Sequence, residues 1–177
     1  MVSTANFADR ELSSGEEQAF QFAADCLKAE KSALRLIARA EQNSLGLTAK
    51  LERRRFDAAV VKTVVDRFLE QNLLDNGRYA ERWIRSRLSC GKAVSPQWLL
   101  VNLAKRGISR EDSRKALAKV LDPETEYALL VRYLEKTGLD KTFIPDNTEY
   151  TSLRAKLKYE GFSFDILDKF FDDFHQN

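Results

Sequence analysis

Three stretches of the 177-residue sequence share one skeleton. In LTAKLERRRFDAAVVKTVVDRFLEQ, LLVNLAKRGISREDSRKALAKVL and LRAKLKYEGFSFDILDKFFDDF, a leucine pair is followed by one apolar residue, Phe56, Ile108 or Phe162, and then by Asp57, Ser109 or Ser163. The pairs are Leu47 and Leu51, Leu99 and Leu103, and Leu153 and Leu157, and their second members recur at intervals of 52 and 54 residues. So constant a spacing marks a tandem repeat. Within each repeat the leucine pair lies on one face of a helix. The helix should end at a left-handed residue, supplied by Gly107 and Gly161, because glycine adopts positive φ without steric penalty. Arg55 stands at the equivalent place in the first repeat and either accepts that strain or marks a different turn. The next residue packs back as a hydrophobic staple, and Asp57, Ser109 or Ser163 caps the helix that follows. In the first repeat that helix buries Val60, Val61, Val64, Val65 and Phe68.

Each repeat also has a helix before its leucine pair: Ala33 to Gln42, Arg78 to Ser89, and Glu124 to Lys136. Ahead of the first, Phe20, Ala23, Ala24, Leu27, Leu34, Ile37 and Ala40 recur at helical spacing, as one long helix or two that meet near Lys31. Ser95 followed by Pro96 is a start signal in the second repeat. Gly138 and Pro145 mark turns in a longer connection within the third. Gly46, inside a leucine-pair helix, is expected to weaken it by up to about 1 kcal/mol. The fold class is therefore all-α, an elongated array of three tandem three-helix repeats, since such units bury their faces by stacking. The expected divisions are a loose tail over 1–15, an N-terminal helix with the first repeat over 16–74, the second repeat over 75–121 and the third over 122–177.

Charge is distributed unevenly along this array. Residues 31–121 carry a net charge of +11, whereas residues 1–30 carry −4 and residues 122–177 carry −5. A middle so basic attracts polyanions or an acidic protein surface. Its centre is LLDNGRYAERWIRSRL, Leu73 to Leu88, where Tyr79, Ala80, Trp83, Ile84 and Leu88 form an apolar stripe and Arg78, Arg82 and Arg85 a basic one. With these the candidate binding residues are Arg53, Arg54 and Arg55, then Lys92, then Lys105, Arg106, Arg110 and Arg114. Arg87 falls on the apolar face with Trp83 and Ile84, so it reads as structural, its stem snorkelling or its charge paired with Asp75 or Glu70. Phe162, Phe164, Phe170, Phe171 and Phe174 follow the core positions of the third repeat. Trp98 packs within its helix or stands exposed beside the basic clusters.

Composition excludes several functions. No apolar run approaches the roughly 20 residues of a membrane span, and MVSTANFADRELSSGEE has neither the basic nor the apolar region of an export signal. Cys26 and Cys90 lack ligand spacing, which suits reduced packing residues in a cytoplasmic chain. The single histidine is His175, and there is no phosphate loop, zinc spacing or nucleophile elbow, so neither catalysis nor a cofactor or metal is expected.

Leu73-Leu74-Asp75, Arg78-Tyr79-Ala80, Arg85-Ser86-Arg87 and Gly91-Lys92, followed by LAKRGIS, resemble the RecX family of regulatory proteins over roughly Ala33 to Phe174. The resemblance implies a monomeric, non-enzymatic regulator that binds the RecA filament on single-stranded DNA along its groove and restrains ATP hydrolysis, strand exchange and co-protease activity. Direct DNA contact is also found in this family. Three-helix units with basic faces dock on duplexes too, which leaves a stand-alone DNA-binding protein of helix-turn-helix character as the other reading.

Overall fold

The structure, a computed structural model, describes residues 13–138 and 147–175. Residues 1–12 of the expected tail, Pro145, and the side chains of Phe174 and His175 lie outside the described residues. All regular structure among them is helical: α1 (Ser14–Arg39), α2 (Ser44–Glu52), α3 (Ala58–Glu70), α4 (Asn76–Ser89), α5 (Pro96–Ala104), α6 (Arg110–Val120), α7 (Pro123–Lys136), α8 (Asn147–Tyr159) and α9 (Phe164–His175). In each successive trio the first and second helices both pack on the third: α1 and α2 on α3, α4 and α5 on α6, α7 and α8 on α9. One packing scheme thus recurs three times, as the sequence repeat requires.

The reason for the recurrence is one helix-ending motif made three times. The N–H groups of Phe56, Ile108 and Phe162 donate to the carbonyls of Leu51, Leu103 and Leu157, while those of Arg55, Gly107 and Gly161 donate to Glu52, Ala104 and Lys158. This pair of bonds around a left-handed residue is the Schellman motif. The left-handed residues have φ of 64° at Arg55, 73° at Gly107 and 89° at Gly161. Arg55 therefore accepts the strain. An L residue loses roughly 1 to 2 kcal/mol in this conformation, so Arg55→Gly should stabilise the first trio by about 1 kcal/mol, read as a higher midpoint in urea.

The chain divides into two compact units, residues 1–74 and 75–177. In the first, Leu47, Leu51, Val61 and Val64 are almost wholly excluded from solvent, with Cys26, Ala29 and Ala33 of α1 completing the core. Ser13 and Glu16 form a capping box, so α1 begins at Ser14, earlier than the expected Glu16, and runs as one helix through Lys31. Its buried face differs from the expected one: Phe20, Leu27 and Leu34 are exposed, and the small residues Ala29 and Ala33 face inward, where they allow close packing. Gly46 also has a local reason. A Cβ there would stand 2.4 Å from Asn43 Oδ1, the atom that accepts the Gly46 N–H and caps α2.

In the second unit both trios share one core, in which Ile84, Leu99, Leu103, Leu129, Leu130, Leu157 and Leu167 are buried. Ser95 caps α5 by accepting the Trp98 N–H at 3.1 Å. At the seam between the trios the Gln97 N–H donates to the Glu160 carbonyl at 2.9 Å. Gly161 makes that approach possible, because a Cβ there would meet Gln97 N at 3.2 Å and Pro96 Cβ at 3.3 Å. Gly161→Ala combines this crowding with positive φ and should lower stability by about 2 kcal/mol, measured by thermal unfolding. Two expectations about apolar residues fail here. Phe164 is 54% exposed, with the Lys158 ammonium 4.4 Å from its ring centroid; it follows Ser163 at the start of α9, before the core-facing stripe of Ile166, Leu167, Phe170 and Phe171 begins. Cys90 ends α4 in solvent, whereas Cys26 is buried.

Candidate partner-binding face

Helix α4 begins where Asp75 accepts the Arg78 backbone N–H at 2.9 Å. Its apolar residues follow the 3.6-residue period, so Ala80, Trp83 and Ile84 are driven inward against α6. Arg78, Arg82 and Arg85 are left in solvent. Arg85 lies 3.9 Å from Glu81, a carboxylate that Lys119 of α6 also approaches, at 2.7 Å. Exposed ion pairs of this kind contribute about 0 to 1 kcal/mol, so both cations remain usable by a partner. Lys119 was not among the residues singled out from sequence. Its approach to Glu81 is a contact between residues 38 apart in the chain, which no local pattern states.

The inner side of α4 holds a stack of planar groups. The Trp83 and Trp98 rings lie 6.1 Å apart and 18° from parallel. The Arg106 guanidinium is 4.5 Å from the Trp83 centroid and that of Arg87 is 5.2 Å away. Arg106 also donates to the Asn102 carbonyl at 2.7 Å. It is half-buried, unlike the other candidate binding residues, and its charge is engaged against an aromatic face. Arg87 uses the ring in the same way, in place of the pairing with Asp75, which is occupied as a cap. Trp83 Nε1 and Arg87 Nε are buried without a hydrogen-bond partner, so packing and cation–π contact hold this side of the helix. Trp98, expected either to pack within its own helix or to stand exposed, instead stacks on Trp83 of α4 while keeping 40% of its surface exposed.

That exposed surface borders an open groove of about 850 Å³, lined also by Lys92, Val101, Tyr133, Lys136 and Glu160. Burial pushes the Tyr133 phenol above its ordinary pKa, with the Glu160 carboxylate adding to the shift. Lys92 is thus at a groove, while Lys105 ends α5 and Arg110 and Arg114 lie exposed on α6. In the first unit Arg53 donates to the Ala49 carbonyl at 3.1 Å, Arg54 donates to the Ser32 hydroxyl, and Arg55 is exposed at its left-handed turn. Arg54 therefore also ties the turn after α2 to α1. Among the described residues no group of three His, Cys, Asp or Glu side chains could hold a metal ion, and no helix is long and apolar enough to cross a membrane.

No family model matches the chain. A regulatory protein RecX from Treponema pallidum (strain Nichols) is 37% identical over 115 residues, which cover 65% of this chain and 70% of the relative. The chain belongs to the RecX family of regulatory proteins. The RecX of Halorhodospira halophila is 31% identical over 134 residues, covering 76% of this chain and 80% of that one. The crystal structure of RecX from Lactobacillus salivarius matches with a TM-score of 0.63 over 88% of this chain and 99% of its own, at 20% identity. A second RecX crystal structure matches with a TM-score of 0.70 over 92% and 79%, also at 20% identity. At that identity the two crystal structures establish the shared RecX fold, and the sequence relatives establish membership.

Proposed function

We infer that the chain is a cytoplasmic regulator that binds the RecA nucleoprotein filament on single-stranded DNA and restrains its ATP hydrolysis, strand exchange and co-protease activity. Family membership supports the regulatory role. The observation that carries the choice of surface is helix α4, which presents Arg78, Arg82 and Arg85 to solvent while Trp83, Trp98, Arg87 and Arg106 fix it from behind. Guanidinium groups on a helix held in this way can meet carboxylates or phosphates in bidentate geometry with little loss of order. Lys119, Lys105, Arg110 and Arg114 add positive charge on the neighbouring helices of the same unit. Arg53, Arg54 and Arg55 form a separate cluster in the first unit.

Fluorescence anisotropy across a salt series tests this reading. A filament regulator binds RecA-coated single-stranded DNA more tightly than the naked strand, and keeps that preference at physiological salt. A stand-alone DNA binder shows equal or greater affinity for naked DNA, with a steep loss as salt rises because each phosphate contact releases counterions.

A further inference from the structure

Helix α1 carries an apolar face that its own unit leaves uncovered. Phe20 is 63% exposed, Leu27 52% and Leu34 47%. They recur every seven residues on one side of the helix, with exposed Ala23 and Ala24 between them. The core of the unit takes a different side, through Cys26, Ala29 and Ala33. The same helix is divided by charge. Residues 14–26 hold three acidic side chains and no basic one, while residues 27–39 hold four basic side chains and one acidic.

We propose that this face of α1 pairs with the same face of a second copy of the chain, in antiparallel register about Leu27. Antiparallel pairing lays the acidic half of each helix along the basic half of the other, whereas parallel pairing would set like against like. Centred on Leu27, the register brings Leu27 against its own copy and Phe20 against Leu34 of the second copy. Ala23 then faces Lys31 of the second copy, where its small side chain leaves room for the lysine stem. Glu17 and Arg35 of the second copy come within one helical turn of each other on the flank of the seam, and both are exposed. A seven-residue apolar repeat is the spacing that keeps two helices in contact along their length. A 26-residue helix is about 39 Å long. With Phe20, Leu27 and Leu34 as its large apolar anchors, the pairing depends on concentration and the dilute chain is monomeric.

Sedimentation velocity on the full chain, over a roughly hundredfold concentration range, tests this. The mass should rise from 20.3 kDa toward twice that value. Leu27→Glu should abolish the rise while leaving the helical circular dichroism unchanged. Glu17→Lys and Arg35→Glu should each weaken association about tenfold, since each turns two symmetric attractions into repulsions. The double variant, and an equimolar mixture of the two single variants, should restore it. A chain that stays monomeric throughout, or that associates equally well as Leu27→Glu, would overturn the proposal. So would a double variant that fails to recover, because the antiparallel register requires Glu17 and Arg35 to be exchangeable. If Leu27→Glu changes only inhibition of RecA and never the mass, the face serves a different partner and the proposal fails.

Discussion

Trp83→Ala should destabilise the second unit by about 3 to 5 kcal/mol, the usual loss on truncating a buried aromatic side chain to alanine. The effect is at the upper end of single substitutions because several groups depend on one ring. Trp98 loses its stacking surface, Arg87 and Arg106 lose the face over which their charges lie, and Ile84 loses a neighbour in the core. A guanidinium left half-buried without its ring adds a desolvation cost that a smaller cavity alone would not. Trp83→Phe keeps an aromatic face and removes the unpartnered indole N–H, so it should retain most of the stability. Thermal and urea unfolding of both variants check this. Equal losses for alanine and phenylalanine would contradict this, because an aromatic face at position 83 would then retain none of the stability.

Changing Arg78, Arg82 and Arg85 together to glutamate should leave the melting temperature within a few degrees of wild type, since each side chain is exposed and contributes about 0 to 1 kcal/mol. Binding to the filament should fall by two orders of magnitude or more. Three attractions become three repulsions at contact distance, inside the Debye length of about 8 Å at physiological salt, where screening is weakest. Arg87→Glu has the opposite profile: it replaces a cation over the Trp83 ring with a carboxylate, so it should lower stability first and binding only as a consequence. Unfolding curves and filament affinity, measured on both variants, separate the outward residues of α4 from the inward one.

Much of the fold was legible in the sequence because its instructions are local. The leucine pairs, Gly107, Gly161 and the capping residues act within a few positions of themselves, so their spacing alone locates three helix ends of identical construction. Even the strained Arg55 was visible, though only by alignment with the other two repeats. Asn72, also left-handed at φ 55°, was missed because no repeat partner pointed to it. What escaped was decided by distant contacts. Periodicity in α1 revealed an apolar stripe at Phe20, Leu27 and Leu34 but could not tell it from the quieter face of Cys26, Ala29 and Ala33, which the core selects because small residues let helices approach closely. Arg106 looked like one more surface cation in a basic cluster. Its place over Trp83 depends on α5 returning beside α4, which no local pattern states. The same tertiary neighbourhood brings Lys119 to Glu81, beside the arginine stripe.

The claim on which the functional account turns is that the exposed arginines of α4 deliver restraint of RecA. The rate of ATP hydrolysis by RecA on single-stranded DNA, titrated in parallel with the wild-type chain and with the triple glutamate variant at physiological salt, tests it most directly. The account predicts that the wild-type chain slows hydrolysis as it saturates the filament and that the folded triple variant leaves the rate unchanged. Hydrolysis unaffected by the wild-type chain, or slowed equally by both, would contradict it.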